Sequence, residues 1–85
     1  MNLEVKKEWG ELGYEWYASN NNKHIILIKK IKNDRYNGDY NNIISINSII
    51  KNYDCYIDES YSYNTITFEE HQLLIKTFKA LRWLE

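Results

Sequence analysis

The chain has 85 residues, which is enough for one domain with one hydrophobic core and too few for a second. Hydrophobic residues make up 44% of it, which excludes intrinsic disorder and predicts a single packed domain over residues 1–85. The formal net charge is -1, so no strong field of either sign indicates a nucleic acid or a charged lipid surface.

Cysteine content and the apolar runs bear on where the protein works. Cys55 is the only cysteine, which excludes an intramolecular disulfide and with it a disulfide-stapled secreted scaffold. The apolar run from Ile25 to Ile28 is far too short to cross a bilayer, and residues 1–10 lack the apolar core of a signal peptide. We therefore predict a cytoplasmic protein with no membrane partner.

The first segment predicts a short helix. Val5, Trp9 and Leu12 recur at i, i+4 and i+7, the spacing that places side chains on one helical face. Gly13 suits the position just past the end of such a helix, because glycine tolerates the left-handed backbone found there. We expect this helix over residues 3–12.

Three turn signals divide the middle of the chain into four predicted strands. The signals are Asn21-Asn22, Asn37-Gly38 and Lys51-Asn52. The strands that they separate cover residues 14–20, 23–33, 41–50 and 53–60. Consecutive strands joined by such short turns form an antiparallel meander.

The registers that these turns imply agree with one another. They place Trp16 opposite Leu27, Ile31 opposite Ile44, and Ile46 opposite Ile57. Directly paired residues share a face, so the three registers together predict one apolar, inward face. Its members are Tyr14, Trp16, Ala18, Ile25, Leu27, Ile31, Ile44, Ile46, Ile50, Tyr53, Cys55 and Ile57, with Lys29 and Ser48 as polar exceptions.

The last segment predicts a second helix that packs on the inward face. Thr67 and Glu70 have the spacing of a capping box, in which each side chain bonds the other residue's backbone N–H. The expected packing stripe is Leu74, Phe78 and Leu81, with Phe68 and Ile75 beside it. The predicted fold is α+β: a four-stranded antiparallel meander with both helices packed on it, in the order α-β-β-β-β-α.

The outward face of the predicted sheet is unusually apolar for a surface in contact with water. Its members are Tyr17, Ile26, Ile28, Ile43, Ile49 and Tyr56, framed by Glu15, Lys30, Lys32, Asp54 and Asp58. An apolar centre with a charged rim is typical of a protein contact surface. The alternative is that the first helix crosses to this side and covers it.

Tyrosines in two predicted connections are further candidates for partner contact. Tyr36 and Tyr40 flank Asn37-Gly38, and Tyr61 and Tyr63 lie between the last strand and the second helix. Exposed tyrosines give a large contact area at a low cost in side-chain entropy. In the alternative interpretation these tyrosines pack on one another.

The sequence offers little for catalysis or metal binding. His24, His71 and Cys55 lack the spacing of a zinc site. Asp54 and Asp58 lie on one face of the same predicted strand and are the candidates for a carboxylate pair, but solvated strand carboxylates are far more common. We predict no metal, no cofactor and no enzymatic activity.

Nucleic-acid or nucleotide binding is the alternative function. Lys29, Lys30 and Lys32 could contact phosphates, and tyrosines could stack on bases. Acidic residues balance the lysines, however, and the isoelectric point is about 6.1. No glycine-rich phosphate-binding motif is present in the sequence.

Two short motifs carry a resemblance to a known group. The segment Glu8 to Glu15, with the sequence EWGELGYE, is a helix end that resembles the opening of small uncharacterised proteins of phages and prophages of low-GC Gram-positive bacteria. The segment Ile66 to Glu70, with the sequence ITFEE, leads into a helix and resembles the way those proteins finish. Trp83 resembles their terminal tryptophan, although the glycine that often precedes it is missing.

The resemblance implies an accessory phage protein that acts on host or defence machinery. We therefore predict a non-enzymatic protein that binds and inhibits a host protein, such as an antiviral defence component of the CRISPR effector type. A second copy of the chain is another candidate partner, because two-fold dimers are the commonest oligomers. The resemblance transfers no catalytic residue.

Overall fold

Two helices and four strands form the fold in the computed structural model, which describes residues 4–19, 23–32, 40–57 and 66–81. The elements are α1 (Glu4–Glu11), β1 (Glu15–Ser19), β2 (His24–Ile31), β3 (Tyr40–Asn47), β4 (Asn52–Ile57) and α2 (Phe68–Ala80). The strands form one antiparallel sheet in the order β1-β2-β3-β4. The predicted α+β meander with a helix at each end is confirmed.

The first two registers show one correct and one wrong prediction. Trp16 lies opposite Leu27, as predicted. The predicted pairing of Ile44 with Ile31 is wrong, because Ile44 lies opposite Leu27. Relative to the prediction, β3 is therefore shifted along β2 by the distance from Ile31 to Leu27. The shift is four residues, an even number, and side chains alternate between faces with a period of two. The apolar side chains therefore remain on the predicted face.

The turn between β3 and β4 also differs from the prediction. The predicted pairing of Ile46 with Ile57 is wrong, because Ile46 lies opposite Tyr53. Strand pairing ends where Asn47 meets Asn52, so the turn consists of residues 48–51. The predicted turns Asn21-Asn22 and Asn37-Gly38 lie outside the described residues.

A side-chain hydrogen bond explains why β3 stops early. The Oδ1 atom of Asn47 accepts from the backbone N–H groups of Ile49, at 3.0 Å, and Ile50, at 3.4 Å. An asparagine carbonyl that bonds the backbone two residues on imitates a turn, and it competes with continued strand pairing. Lys51 completes the turn with a positive φ of 54°. Ile49 and Ile50, predicted on the two sheet faces, therefore lie in an exposed turn.

Both helices pack on the same face of the sheet. The buried apolar core contains Val5, Trp9, Tyr14, Ile25, Leu27, Ile44, Ile46, Cys55, Leu73 and Leu74. The indole N–H of Trp9 donates to the Thr77 hydroxyl at 2.9 Å, which joins α1 to α2 within this core. The alternative in which the first helix covers the outward face is therefore wrong.

The packing stripe of α2 is partly the predicted one. Leu74 is buried and Phe78 and Leu81 are half-buried, but Phe68 is 74% exposed and Ile75 is 37% exposed. At about 100° per residue, these last two side chains lie roughly 160° and 140° around the helix axis from Glu70. Glu70 is itself buried and faces the sheet. Phe68 and Ile75 are therefore outside the core.

The end of α1 is fixed by a Schellman motif. The Gly13 N–H donates to the Gly10 carbonyl and the Tyr14 N–H donates to the Trp9 carbonyl, both at 3.0 Å. Gly13 has a φ of 95°, in the left-handed region that glycine adopts without strain. The rings of Trp9 and Tyr14 meet edge to face with centroids 5.2 Å apart. This contact directs Tyr14 into the core.

The beginning of α2 is fixed by the predicted capping box. The Glu70 N–H donates to the Thr67 hydroxyl at 3.1 Å, and the Thr67 N–H donates to Glu70 Oε1 at 2.9 Å. The second carboxylate oxygen, Oε2, accepts a hydrogen bond from the Tyr14 hydroxyl. Asn42 donates to the same hydroxyl at 2.8 Å. One buried network thus connects both helices to β3.

Burial in this network changes the acidity of its members. Burial and then the hydrogen bond to Glu70 raise the pKa of Tyr14 well above its usual value near 10. Burial also raises the pKa of the Cys55 thiol, whose Sγ is 3.9 Å from the Asn42 amide oxygen. Tyr14 and Cys55 therefore stay protonated at neutral pH.

Gly10 within α1 and Gly13 just after it provide a matched test of the Schellman motif. Gly13→Ala should destabilise the protein by roughly 1–2 kcal/mol, because a left-handed backbone strains a residue with a Cβ. The added Cβ would also lie 3.3 Å from Lys29 Cε. Gly10→Ala should instead stabilise it by about 0.5–1 kcal/mol, because alanine favours the helix and the new Cβ meets no atom within 4 Å. Urea denaturation of both variants measures the two changes, and equal effects would contradict this account.

The buried network makes a prediction about pH. Tyr14→Phe should cost about 1–3 kcal/mol near neutral pH, because it removes the buried hydroxyl that donates to Glu70 and accepts from Asn42. Above about pH 10 the unfolded chain loses the Tyr14 proton while the native protein keeps it, so this stabilisation declines as pH rises. Denaturation of both proteins across a pH series should show their difference constant between about pH 7 and pH 10 and shrinking above pH 10. A difference that grows with pH would show that the network is misassigned.

Candidate protein-contact surface

Eight side chains form the central part of the sheet face opposite the helices, which is called the outward face below. One row across the four strands is Glu15, Ile28, Ile43 and Tyr56, and the next row is Tyr17, Ile26, Ser45 and Asp54. The inner positions are mainly isoleucine, and the positions on the two edge strands are carboxylates and tyrosines. The outward face is therefore an apolar strip between two polar edges.

The apolar strip is accessible from the side away from the helices. Ile26 is 39% exposed and Tyr17 is 52% exposed, while Ile28, Ile43 and Tyr56 are half-buried against one another. Among the described residues, neither helix lies on this face, since both pack on the other. A sheet face in contact with water normally carries polar residues, so these isoleucines are candidates for burial by a partner.

The edge strands have similar side-chain pairs. On β1, the Tyr17 hydroxyl donates a hydrogen bond to the Glu15 carboxylate two residues before it, and this bond raises the pKa of Tyr17. On β4, Asp54 and Tyr56 have the same two-residue spacing and lie on the same face. Each edge therefore presents a carboxylate beside an aromatic ring, a combination that can accept hydrogen bonds and bury apolar area together.

The structure brings together five of the predicted contact residues. Tyr17, Ile26, Ile28, Asp54 and Tyr56 all lie on the outward face. The predicted residues Tyr36 and Asp58, together with the candidates Tyr61 and Tyr63, lie outside the described residues.

Two predicted contact residues are in other places. Ile49 is in the turn between β3 and β4, where it is 61% exposed, and the prediction that it lies on the outward face is wrong. Tyr40, predicted in a connection, is the first residue of β3 and lies opposite Ile31. Tyr40 is four residues before Ile44, and residues an even number apart in a strand lie on the same face, so Tyr40 is on the helix-covered face. Tyr40 is half-buried there.

Sequence reasoning did not identify Asn42 as a core residue. Asn42 is 5% exposed on the helix-covered face, where its amide bonds Tyr14 and lies near Cys55. The available signal was that Asn42 shares the inward face of the strand with Ile44 and Ile46. A polar residue at such a position is buried, and a buried amide requires hydrogen-bond partners.

The described residues do not assemble a reactive centre. They contain no group of three histidine, cysteine or carboxylate side chains that could hold a metal ion. Cys55 is buried beneath α2, and its raised pKa disfavours the nucleophilic thiolate. His24 is on the outward side of the sheet and His71 is exposed on α2, so the two do not converge on Cys55.

A shallow groove between the two helices is a second surface feature. Its volume is about 360 Å³, and Leu12 and Leu73 form its apolar floor. Lys76 closes one side through an ion pair with Glu8 at 2.6 Å, and Glu11 adds a further carboxylate. The ion pair is exposed, so the ion pair stabilises the fold only weakly. The groove itself is open to solvent. It lacks the enclosed, converging polar groups of a small-molecule site.

Comparisons with known proteins add no relative. No protein-family model, curated protein or solved structure matches the chain. Within the described residues, neither helix has both the length and the apolar character needed to cross a membrane.

Adjacent residues on β2 provide a test of which face is covered. Leu27→Asp should prevent folding, because Leu27 is fully buried and an unpaired carboxylate in the core is prohibitively costly. Ile26→Asp, one residue earlier on the opposite face, should cost no more than about 1 kcal/mol. Circular dichroism and thermal melting of both variants measure the contrast. Unfolding of Ile26→Asp would show that the outward face is part of the core.

Proposed function

We propose that this chain is a non-enzymatic protein that binds and inhibits a host protein through its outward face. The observation that carries the proposal is the exposure of Ile26 and Tyr17 on a sheet face that neither helix covers. Water solvates such an apolar surface poorly, so covering it with a partner is favourable.

The shape of the outward face favours a protein as the partner. Its four strands are spaced about 4.8 Å apart, so the face is roughly 14 Å wide, and the groove between the helices lies on the other side of the sheet. Small molecules are usually bound in concave pockets, whereas protein interfaces combine an apolar centre, aromatic anchors and a polar rim. Tyr17 and Tyr56 are the aromatic anchors, and Glu15 and Asp54 belong to the rim.

The resemblance to phage and prophage proteins supports a host target. Small accessory proteins of that kind act in the cytoplasm of the infected cell, where antiviral defence components are available to them. A defence component such as a CRISPR effector is therefore the proposed class of target. Inhibition would follow from steric blockage, because a chain of this type needs no chemistry to obstruct a functional surface.

The arrangement of the lysines disfavours the alternative, a nucleic-acid or nucleotide binder. Lys29 and Lys30 are consecutive strand residues, so their side chains point to opposite faces of the sheet. The Lys29 ammonium lies 5.7 Å from the ring centroid of Tyr14, on the helix-covered side. Lys29 and Lys30 therefore do not belong to one continuous basic patch of the kind that phosphate backbones require, and the face that has Lys30 also has Glu15 and Asp54.

Affinity capture with matched variants tests the proposed function. The bait protein is incubated with an extract of a low-GC Gram-positive bacterium, and any captured protein is then purified and its affinity measured. Ile26→Asp should weaken that affinity tenfold or more, which is at least about 1.4 kcal/mol. Phe68→Asp, a matched change at an exposed aromatic residue of α2, should leave it unchanged.

Two results would contradict the proposed function. Equal affinity of the native protein and Ile26→Asp for the purified target would exclude the outward face as the contact surface. Capture of nucleic acid with an affinity that falls steeply as salt increases would favour the alternative, because phosphate contacts release counterions.

A further inference from the structure

The outward face has a near two-fold pattern of side chains. Read from β1 to β4, one row is carboxylate, isoleucine, isoleucine, tyrosine: Glu15, Ile28, Ile43 and Tyr56. Read from β4 to β1, the other row is carboxylate, serine, isoleucine, tyrosine: Asp54, Ser45, Ile26 and Tyr17. The carboxylates therefore occupy two diagonal corners of the face and the tyrosines occupy the other two.

From this pattern we infer that the outward face binds a second copy of the chain, sheet against sheet, in a two-fold dimer. The inference rests on the proposed function in one respect, since both treat the outward face as a contact surface. In the dimer, the second copy covers the apolar strip until a target displaces it. The partner identified by the pattern is thus the chain itself.

The pattern makes two copies complementary when their strands run along the two-fold axis. This axis lies in the plane of the interface and exchanges β1 with β4 of the second copy. Glu15 then meets Tyr56 of the second copy, Asp54 meets its Tyr17, and Ile28 meets its Ile43. Packed sheets keep their strand directions within about 30° of each other, so these neighbours stay close.

The other aligned arrangement is complementary as well. In this arrangement the two-fold axis is perpendicular to the strands. Each strand then faces the same strand of the second copy, and each row of side chains faces the other row. Glu15 then meets Tyr17 of the second copy, Tyr56 meets its Asp54, and Ile28 meets its Ile26. In both arrangements each carboxylate faces a tyrosine and no carboxylate faces a carboxylate, so the approach of two copies opposes no like charges.

The positive charge next to the strip does not disturb either arrangement. Lys30 is two residues beyond Ile28 on the same face of β2, opposite Asn41 within the sheet. With the axis along the strands, Lys30 meets Asn41 of the second copy, and with the axis across them it meets His24. Neither arrangement brings two lysines together, so the dimer buries isoleucines without opposing like charges.

Sedimentation of the purified chain over a concentration series tests the dimer without any host protein. We expect a reversible monomer–dimer equilibrium for the native protein and for Phe68→Asp. Ile26→Asp, which places a carboxylate in the apolar strip, should weaken dimerisation at least roughly tenfold while circular dichroism shows an intact fold. A native chain that stays monomeric, or an Ile26→Asp variant that folds and dimerises like the native one, would overturn the inference.

Opposite charges introduced at the exposed position of Tyr17 give a second test, which does not depend on whether Ile26→Asp folds. Tyr17 meets a carboxylate of the second copy in both arrangements, so Tyr17→Asp opposes like charges and Tyr17→Lys creates an ion pair. Tyr17→Lys should dimerise at least roughly tenfold more tightly than Tyr17→Asp, with a smaller difference at high salt. Phe68→Lys and Phe68→Asp differ in net charge by the same amount as the two Tyr17 variants, but Phe68 is on α2, away from the outward face. These two control variants should therefore dimerise with similar affinity.

These outcomes separate the dimer from the proposed function. If Tyr17→Lys and Tyr17→Asp dimerise equally tightly, the dimer does not use the outward face. This conclusion holds whether or not Ile26→Asp weakens the affinity for the captured host protein. Sedimentation alone decides the dimer, and the affinity of the purified target for Ile26→Asp decides the proposed function. A monomeric chain that still loses target affinity in Ile26→Asp removes the dimer and leaves the proposed function standing.

Discussion

The buried carboxylate of Glu70 is the constraint on which the arrangement of the helices depends. One of its oxygens accepts a hydrogen bond from the Thr67 N–H at the start of α2, and the other accepts one from the hydroxyl of Tyr14, which directly follows the Schellman turn of α1. Asn42 connects this hydroxyl to β3. A carboxylate removed from water is destabilising unless donors satisfy its oxygens, so the native fold must hold these donors in place together. The network therefore fixes both helices on one face of the sheet.

That placement determines which surface is left for function. Two short helices in an 85-residue chain can cover one face of a four-stranded sheet, and here both cover the same one. The Trp9 side chain strengthens the arrangement, because its indole bonds Thr77 of α2 while its ring contacts Tyr14. The isoleucines of the opposite face make no contribution to this core. Their exposure is a consequence of the helix positions, and it is the basis for assigning a binding role to the outward face.

The parts of the fold that the sequence predicted are those with redundant signals. Assignment to faces survived two wrong registers, since each shift was an even number of residues and alternation has a period of two. The position of Ile49 was not predictable in the same way, because it depends on the local turn in which the Asn47 side chain accepts from the N–H groups of Ile49 and Ile50. The role of Glu70 was visible only as a cap, since its second partner, Tyr14, is 56 residues away in the chain. Long-range polar contacts of this kind leave no local pattern.

The sheet edges show why association is expected through the face. β1 and β4 are the outer strands of the described sheet, and an unprotected edge is a template for pairing with another chain. Each edge has a carboxylate, Glu15 or Asp54, and β1 is only five residues long. Pairing through the same edge strand brings the carboxylate-bearing strands of two copies side by side, whereas the proposed face-to-face packing places each carboxylate against a tyrosine. The proposed dimer therefore buries the isoleucines of the outward face without opposing like charges.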